Sequence, residues 1–122
     1  MAKILIVDDS RNIRKLVSVV LKSEKHSIIE AGNGVEALKK VRLETPDLVI
    51  LDIIIPGKDG IMVCREIKAD PETKRIPIII LTSDSASETR KNAISAGADI
   101  FMLKPFVPSS LKDAVNKALK RA

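Results

Sequence analysis

The chain has 122 residues, enough for one domain with a sizeable core and too few for two ordinary ones. With 45% hydrophobic and 30% charged residues it is not intrinsically disordered, and no run approaches the ~18 apolar residues of a membrane helix. The net charge of +5 is spread over every predicted helix without Tyr or Trp, which favours a solvated basic surface over a nucleic-acid face.

In chain order, the apolar run in Lys3–Val7 predicts a strand, too short for a signal peptide's apolar region, so a cytoplasmic location is expected. Ser10–Lys22 predicts a helix with Ile13, Leu16, Val17, Val20 and Leu21 on one face. Ser27–Ala31 is a weaker strand suited to a sheet edge. Asn33 can cap a helix through Glu44 that turns Val35, Leu38 and Val41 inward. Thr45-Pro46 stops that helix, and Asp47–Asp52 contains the apolar Leu48–Leu51. A turn-rich loop, Pro56–Gly60, leads into a helix ending near Ala69. Pro77–Leu81 is again a strand. Glu88–Ala96 is helical and ends at Gly97, Ile100–Leu103 is the last strand, and Pro108–Leu119 the last helix.

Continuous apolar strands alternating with amphipathic helices imply a parallel sheet covered on both faces. The expected architecture is α/β: a single domain over 1–122, a doubly wound parallel sheet of five strands with five helices, the first and third strands flanking the switch point. Two residues drop out as sites. Cys64 lies in a helical pattern and reads as a small packed side chain, and His26 reads as a solvated loop residue. With one Cys and one His, disulfides within the chain and thiolate or Ser-His-type catalysis lose most of their parts.

Ligands of such sheets bind beyond the carboxyl ends of the strands, at the switch point. There stand Asp8 and Asp9 after the first strand, Asp52 after the third, Thr82 and Ser83 after the fourth, and Lys104 after the fifth. Singly, each has an ordinary explanation: Asp8 and Asp9 as helix caps, Asp52 as a turn residue, Thr82 as a strand end, Lys104 as a solvated charge. Together they form a set for phosphoryl transfer. Three converging carboxylates demand a cation, for which Mg²⁺ suits best, with Mn²⁺ as an alternative. A lysine and a hydroxyl can hold phosphoryl oxygens.

The segments Ile4–Ser10, Leu51–Gly60, Ile80–Ser83 and Ala96–Phe106 resemble, in order and spacing, the receiver domain of bacterial two-component response regulators. The resemblance covers the whole chain and implies a flavodoxin-like fold, with strand order 2-1-3-4-5, and a phosphorelay role. It implies that Asp52 accepts phosphoryl from the phosphohistidine of a sensor histidine kinase or phosphotransfer protein. Asp9, Asp52 and the backbone carbonyl of Ile54 would ligate Mg²⁺, Asp8 would act mainly through water, and Thr82 and Lys104 would bind the phosphoryl group. The Lys104-Pro105 bond is expected to be cis. Thr82 and Phe101 would form the switch, while Ile54 and Asp84 would tune dephosphorylation. Two departures from the family pattern stand out: Ile55 replaces the usual Met, and Phe101 replaces the commoner Tyr, which removes a hydroxyl-mediated switch.

The implied output surface is the fourth helix, fifth strand and fifth helix. There Arg90, Lys91 and Ile94 would meet a downstream protein or a second copy, while Ala93, Ala96 and Thr89 pack inward. The implied kinase-docking face lies near Asn12, Ile13 and the Pro105-Phe106 loop, with Leu16 read as core. The expected state is a monomer or a phosphorylation-dependent dimer that binds neither nucleic acid nor membrane. It is a signalling domain with Mg²⁺-dependent self-phosphorylation and slow autodephosphorylation. A haloacid-dehalogenase-type phosphatase is disfavoured because Ile54 stands where that class has its second Asp. A stand-alone receiver suits the sequence better than one excised from a DNA-binding regulator.

Overall fold

Apolar strands without alternation can be buried only between two layers of helices. The computed structural model describes residues 1–121 and has that arrangement. The strands are β1 (Lys3–Val7), β2 (Ser27–Ala31), β3 (Leu48–Leu51), β4 (Ile78–Thr82) and β5 (Ile100–Leu103). They alternate with α1 (Arg11–Lys22), α2 (Gly34–Glu44), α3 (Gly60–Ala69), α4 (Ser87–Ser95) and α5 (Pro108–Arg121). All strand pairs are parallel, in the predicted order β2-β1-β3-β4-β5.

Side chains alternate across a strand, so each strand supplies two cores. Leu5, Val7, Val49, Leu51, Ile78 and Ile80 pack with Leu38 and Val41 of α2, Val63 and Ile67 of α3, and Ala93 of α4. Ile4, Ile6, Leu48, Ile50, Ile79 and Leu81 pack with α1 and α5 through Val17, Leu21, Leu111 and Val115. Each fully buried Leu or Ile contributes roughly 1.5–3 kcal/mol of apolar transfer energy, so the three central strands hold the domain together. Helix starts follow side-chain chemistry. Ser10 Oγ accepts from Ile13 N at 3.3 Å, and Asn33 Oδ1 accepts from Glu36 N at 2.8 Å, as predicted for Asn33. Gly97 follows α4 at φ +104°, a left-handed conformation open to glycine.

Four expectations need correcting. Leu16 is 56% exposed, because Val17 and Leu21 fill the contact with the sheet and the next position, about 100° around α1, opens sideways. Val35, 49% exposed, sits in the first turn of α2, beyond the end of the sheet and beside Gly57. Thr89 is half-buried and is held by a hydrogen bond to Asp84, not by apolar packing. His26 is half-buried, and its Nδ1 accepts from Ala2 N at 3.0 Å, tying the loop to the start of β1. Cys64 is buried as expected, and burial pushes its thiol up to about 11. Among the described residues, no helix is long and apolar enough to cross a membrane.

Candidate functional site

β1 and β3 are neighbours whose following segments leave toward opposite faces of the sheet, which opens a crevice at their carboxyl ends. The ladder continues one residue beyond each strand. Asp8 N donates to Ala31 O at 3.1 Å, and Asp52 N donates to Val7 O at 2.9 Å. These bonds hold both aspartates at the rim of the crevice, almost wholly buried, while Asp9 is exposed. Ligand oxygens of Asp8, Asp9 and Asp52 all lie within 4.8 Å of one another.

Lys104 reaches this cluster from the far edge of the sheet. Its backbone N donates to Thr82 O at 2.8 Å, and the following Lys104-Pro105 bond is cis, as the resemblance implied. Its Nζ donates to Asp8 Oδ2 at 2.6 Å and to Asp52 Oδ2 at 2.8 Å. The second oxygens are also used: Asp8 Oδ1 accepts from Ser10 N at 2.9 Å, and Asp52 Oδ1 accepts from Ile54 N at 3.2 Å. Burial by itself would push the Lys104 ammonium down, but the hydrogen bonds and charges of Asp52 and Asp8 raise it above its usual value. Three carboxylates against one ammonium leave the crevice net negative. An oxygen-lined, anionic rim of this kind suits a hard divalent cation.

Thr82 is fully buried at the end of β4, opposite Leu103 in the ladder, and its Oγ1 accepts from Asp84 N at 3.3 Å. Asp84 turns away from the crevice toward α4. Its Oδ1 accepts from Ala86 N at 3.0 Å and its Oδ2 from Thr89 Oγ1 at 2.8 Å. Those bonds hold its carboxyl below the usual range. Ile54 stands at the mouth, 57% exposed.

The loop after Asp52 is pinned by close approach. A Cβ on Gly60 would lie 2.3 Å from the Asp52 carbonyl oxygen, and one on Gly34 would lie 2.4 Å from that of Lys58. Asp59 Oδ1 accepts from Ile61 N at 2.7 Å and starts α3. The structure thus brings together Asp8, Asp9, Asp52 and Lys104, with Thr82 and Ile54 at the border. The sequence reading missed three supports: Ser10, Gly60, and Arg14, whose Nη1 donates to the Asp8 carbonyl oxygen at 2.6 Å. Arg14 carries no readable signal beyond its place one helical turn after Ser10.

Two surfaces flank the site. An apolar groove of about 240 Å³ is lined by Ile13, Leu16, Val20, Pro105 and Phe106, with Lys104 at its inner end. On the α4–β5–α5 side, Arg90, Ile94 and Phe101 line a hollow of about 470 Å³. There the Arg90 guanidinium sits 5.6 Å from the centre of the half-buried Phe101 ring, Ile94 is 49% exposed, and Lys91 is exposed.

The chain is similar to known proteins over nearly its whole length. It is 42% identical over 120 residues to the transcriptional regulatory protein ResD of Bacillus subtilis, covering 98% of this chain and 49% of ResD. It is 37% identical over 119 residues to the DNA-binding response regulator MtrA of Mycobacterium tuberculosis, covering 98% of this chain and 51% of MtrA. The chain therefore spans about half the length of these curated relatives. Their descriptions withdraw support from the expectation that no nucleic acid is involved. Among solved structures, the chemotaxis response regulator CheY4 of Vibrio cholerae superposes with a TM-score of 0.90 at 31% identity, covering 97% of this chain and 98% of that one. The BeF3-activated N-terminal receiver domain of RstA from Klebsiella pneumoniae gives 0.89 at 30%, with the same coverage. The response regulator receiver domain model matches residues 4–116, and with that match, the strand order and the acidic crevice, the chain belongs to the response regulator receiver domain family.

Proposed function

We propose that residues 1–122 form one receiver domain in which Asp52 accepts a phosphoryl group from a phosphohistidine of a sensor histidine kinase or phosphotransfer protein. The observation that carries this reading is the convergence of Asp8, Asp9, Asp52 and Lys104 at one switch point. Asp52 is the acceptor because it alone is buried, central and joined to both Lys104 and the loop at Ile54. In-line attack by an Asp52 oxygen on phosphorus forms the acyl phosphate, and the phosphohistidine nitrogen leaves with the bonding pair.

The donor set fits Mg²⁺: Asp9, Asp52 and the Ile54 carbonyl would hold it, with Asp8 acting through water. When bound, it supplies charge neutralisation for the incoming phosphoryl oxygens. Lys104, freed from Asp52 as the acceptor is modified, grips one of those oxygens, and the Thr82 hydroxyl grips another. Movement of Thr82 would reach α4 through Asp84, and Phe101 would turn into the space left behind. The same site would support self-phosphorylation by small phosphodonors and slow hydrolysis, without turnover of other substrates.

The groove beside Ile13 and Phe106 suits the kinase, and the Arg90–Lys91–Ile94 surface suits a protein target or a second copy. An Ile94→Asp variant that kept full target affinity and oligomeric state would remove that surface from the proposal. Whether a DNA-binding segment accompanies the domain, as the descriptions of its relatives suggest, bears on the output and not on the chemistry at Asp52. The deciding experiment treats wild type and Asp52→Asn with acetyl phosphate, with and without Mg²⁺. Mass spectrometry should find one labile phosphoryl group in the wild type with Mg²⁺ only; equal labelling of Asp52→Asn would overturn the assignment.

A further inference from the structure

Of the three carboxylates in the crevice, Asp8 and Asp52 are each held by Lys104 and by a backbone N–H. Asp9 has no hydrogen bond of its own among the described residues. It is also exposed, so its placement within 4.8 Å of the other two is inherited from the backbone of the turn at residues 8–10. Two bonds that fix this turn are made by its own backbone N–H groups: Asp8 N to Ala31 O at the end of β2, and Ser10 N to Asp8 Oδ1. A further bond comes from a side chain of α1. Arg14 donates from Nη1 to the Asp8 carbonyl oxygen at 2.6 Å and from Nε to Glu30 Oε1 at 2.9 Å.

The geometry suits a clamp. Arg14 is rooted in α1, where its N donates to Ser10 O at 3.1 Å, and its side chain is only 17% exposed. A guanidinium is planar, so a partner on one edge sets the direction in which the other edge donates. Glu30, on the edge strand β2, therefore aims Arg14 at the Asp8 carbonyl. The Asp8–Asp9 peptide is itself planar, so fixing its C=O also fixes the Asp9 N–H and the position of the Asp9 Cα, leaving φ as the one backbone rotation that still turns its side chain.

We infer that Arg14 is a positioning residue for the Mg²⁺ site, holding the Asp8–Asp9 peptide so that the Asp9 carboxylate remains turned into the crevice. The inference rests on the metal reading of Asp8, Asp9 and Asp52. It adds a residue of α1 and one of β2, Glu30, that touch neither metal nor phosphoryl group. Without the clamp the turn gains freedom that cation binding must remove, so affinity falls while the bound arrangement, once reached, stays competent.

The test is calorimetric titration of Mg²⁺ into the full chain as wild type, Arg14→Met, Arg14→Lys, Glu30→Gln and Asp9→Asn. Loss of an outer support of this kind weakens metal binding about 10-fold, and that loss is expected for Arg14→Met. Arg14→Lys and Glu30→Gln should fall between it and wild type, since lysine cannot span both oxygens and glutamine keeps an acceptor. The Mg²⁺ concentration that half-saturates labelling by acetyl phosphate should move by the same factor, with the rate at saturating Mg²⁺ unchanged, a split that general loosening of the fold would not give. If Arg14→Met does not fold, Glu30→Gln and Arg14→Lys carry the test. Titration curves of the folded Arg14 and Glu30 variants that superimpose on wild type overturn the inference alone. A wild type that binds no Mg²⁺, or binds it as Asp9→Asn does, overturns the metal reading and the inference with it.

Discussion

Lys104 Nζ lies 2.8 Å from Asp52 Oδ2 and 2.6 Å from Asp8 Oδ2, so one ammonium bridges the two buried carboxylates of the crevice. Under the proposed function Lys104 would have two duties: with no cation bound it relieves repulsion between Asp8 and Asp52, and during acceptance it would release Asp52 and hold a phosphoryl oxygen instead.

Lys104→Met separates those duties. Removing the cation leaves two buried carboxylates facing each other and should destabilise the metal-free protein by roughly 1–3 kcal/mol, the range for stranding a buried partner. The crevice becomes more negative, so Mg²⁺ should raise the melting temperature more in the variant than in wild type. Labelling by acetyl phosphate should nonetheless fall. The raised pKa also fixes the sign at alkaline pH. The contribution of the bridge is complete below the unfolded value of 10.5 and is lost as pH rises through the higher folded value. Urea titrations on either side of that range should show an alkaline decline in wild type that the variant lacks.

Asp84 accepts from Ala86 N and Thr89 Oγ1, while its own N donates to Thr82 Oγ1. Three hydrogen bonds thus connect the buried Thr82 to the first turn of α4, where Ala86 at the cap position supplies no side-chain bond. Asp84→Ala should leave the fold intact but fray that turn, measured as loss of hydrogen-exchange protection confined to the start of α4. The carboxyl is held below its ordinary 3.8, so its support is present above that value and is lost as pH falls through the lower folded value. Unchanged protection in Asp84→Ala would show that the turn does not depend on this carboxylate.

The periodicity of the apolar residues was enough for the alternation of strands and helices and for the two-sided core, because Leu48–Leu51 and Ile78–Leu81 have no polar position to expose, whereas the full strand order came with the family resemblance. Asp8, Asp9, Asp52 and Lys104 were legible for a topological reason: a parallel sheet collects the residues that follow its strands at one edge. Leu16 and Val35 were misread because helical spacing fixes an angle around the axis but not where the neighbouring layer ends. Arg14 and Gly60 were missed for another reason. Their partners, the backbone oxygens of Asp8 and Asp52, carry no side-chain signature in the sequence. His26 was taken as solvated because nothing in a lone loop histidine announces a bond to the residue just before β1, 24 positions away.

That bond has a pH signature. His26 Nδ1 accepts from Ala2 N, which only the neutral ring can do, and burial together with the positive chain terminus keeps its pKa below 6.5. A lowered histidine pKa means the unfolded chain takes up the proton more readily. The stabilisation is therefore present above 6.5 and is lost as pH falls through the lower folded value. Denaturant midpoints should drop across that window in wild type and change less in His26→Gln. Equal slopes in the two proteins would remove His26 from the acid response.

Ile54 sits two residues past Asp52, the proposed acceptor, with its N–H 3.2 Å from Asp52 Oδ1, and it is 57% exposed at the mouth of the crevice. Hydrolysis of an acyl phosphate there needs a water held in line with the leaving carboxylate. An aliphatic side chain excludes water from the phosphorus and offers no hydrogen bond to orient it, and Asp84, the other residue in reach by sequence, is committed to α4. Ile54→Asn supplies an amide at the same place while leaving the backbone N–H to Asp52 untouched. Its phosphoryl group should therefore be lost several-fold faster than that of wild type. Stability should barely change, since little buried apolar surface is removed. The measurement is decay of the phosphorylated form after removal of acetyl phosphate, at one Mg²⁺ concentration for both proteins. A slower decay in Ile54→Asn would mean that water reaches phosphorus by a route the side chain at 54 does not control.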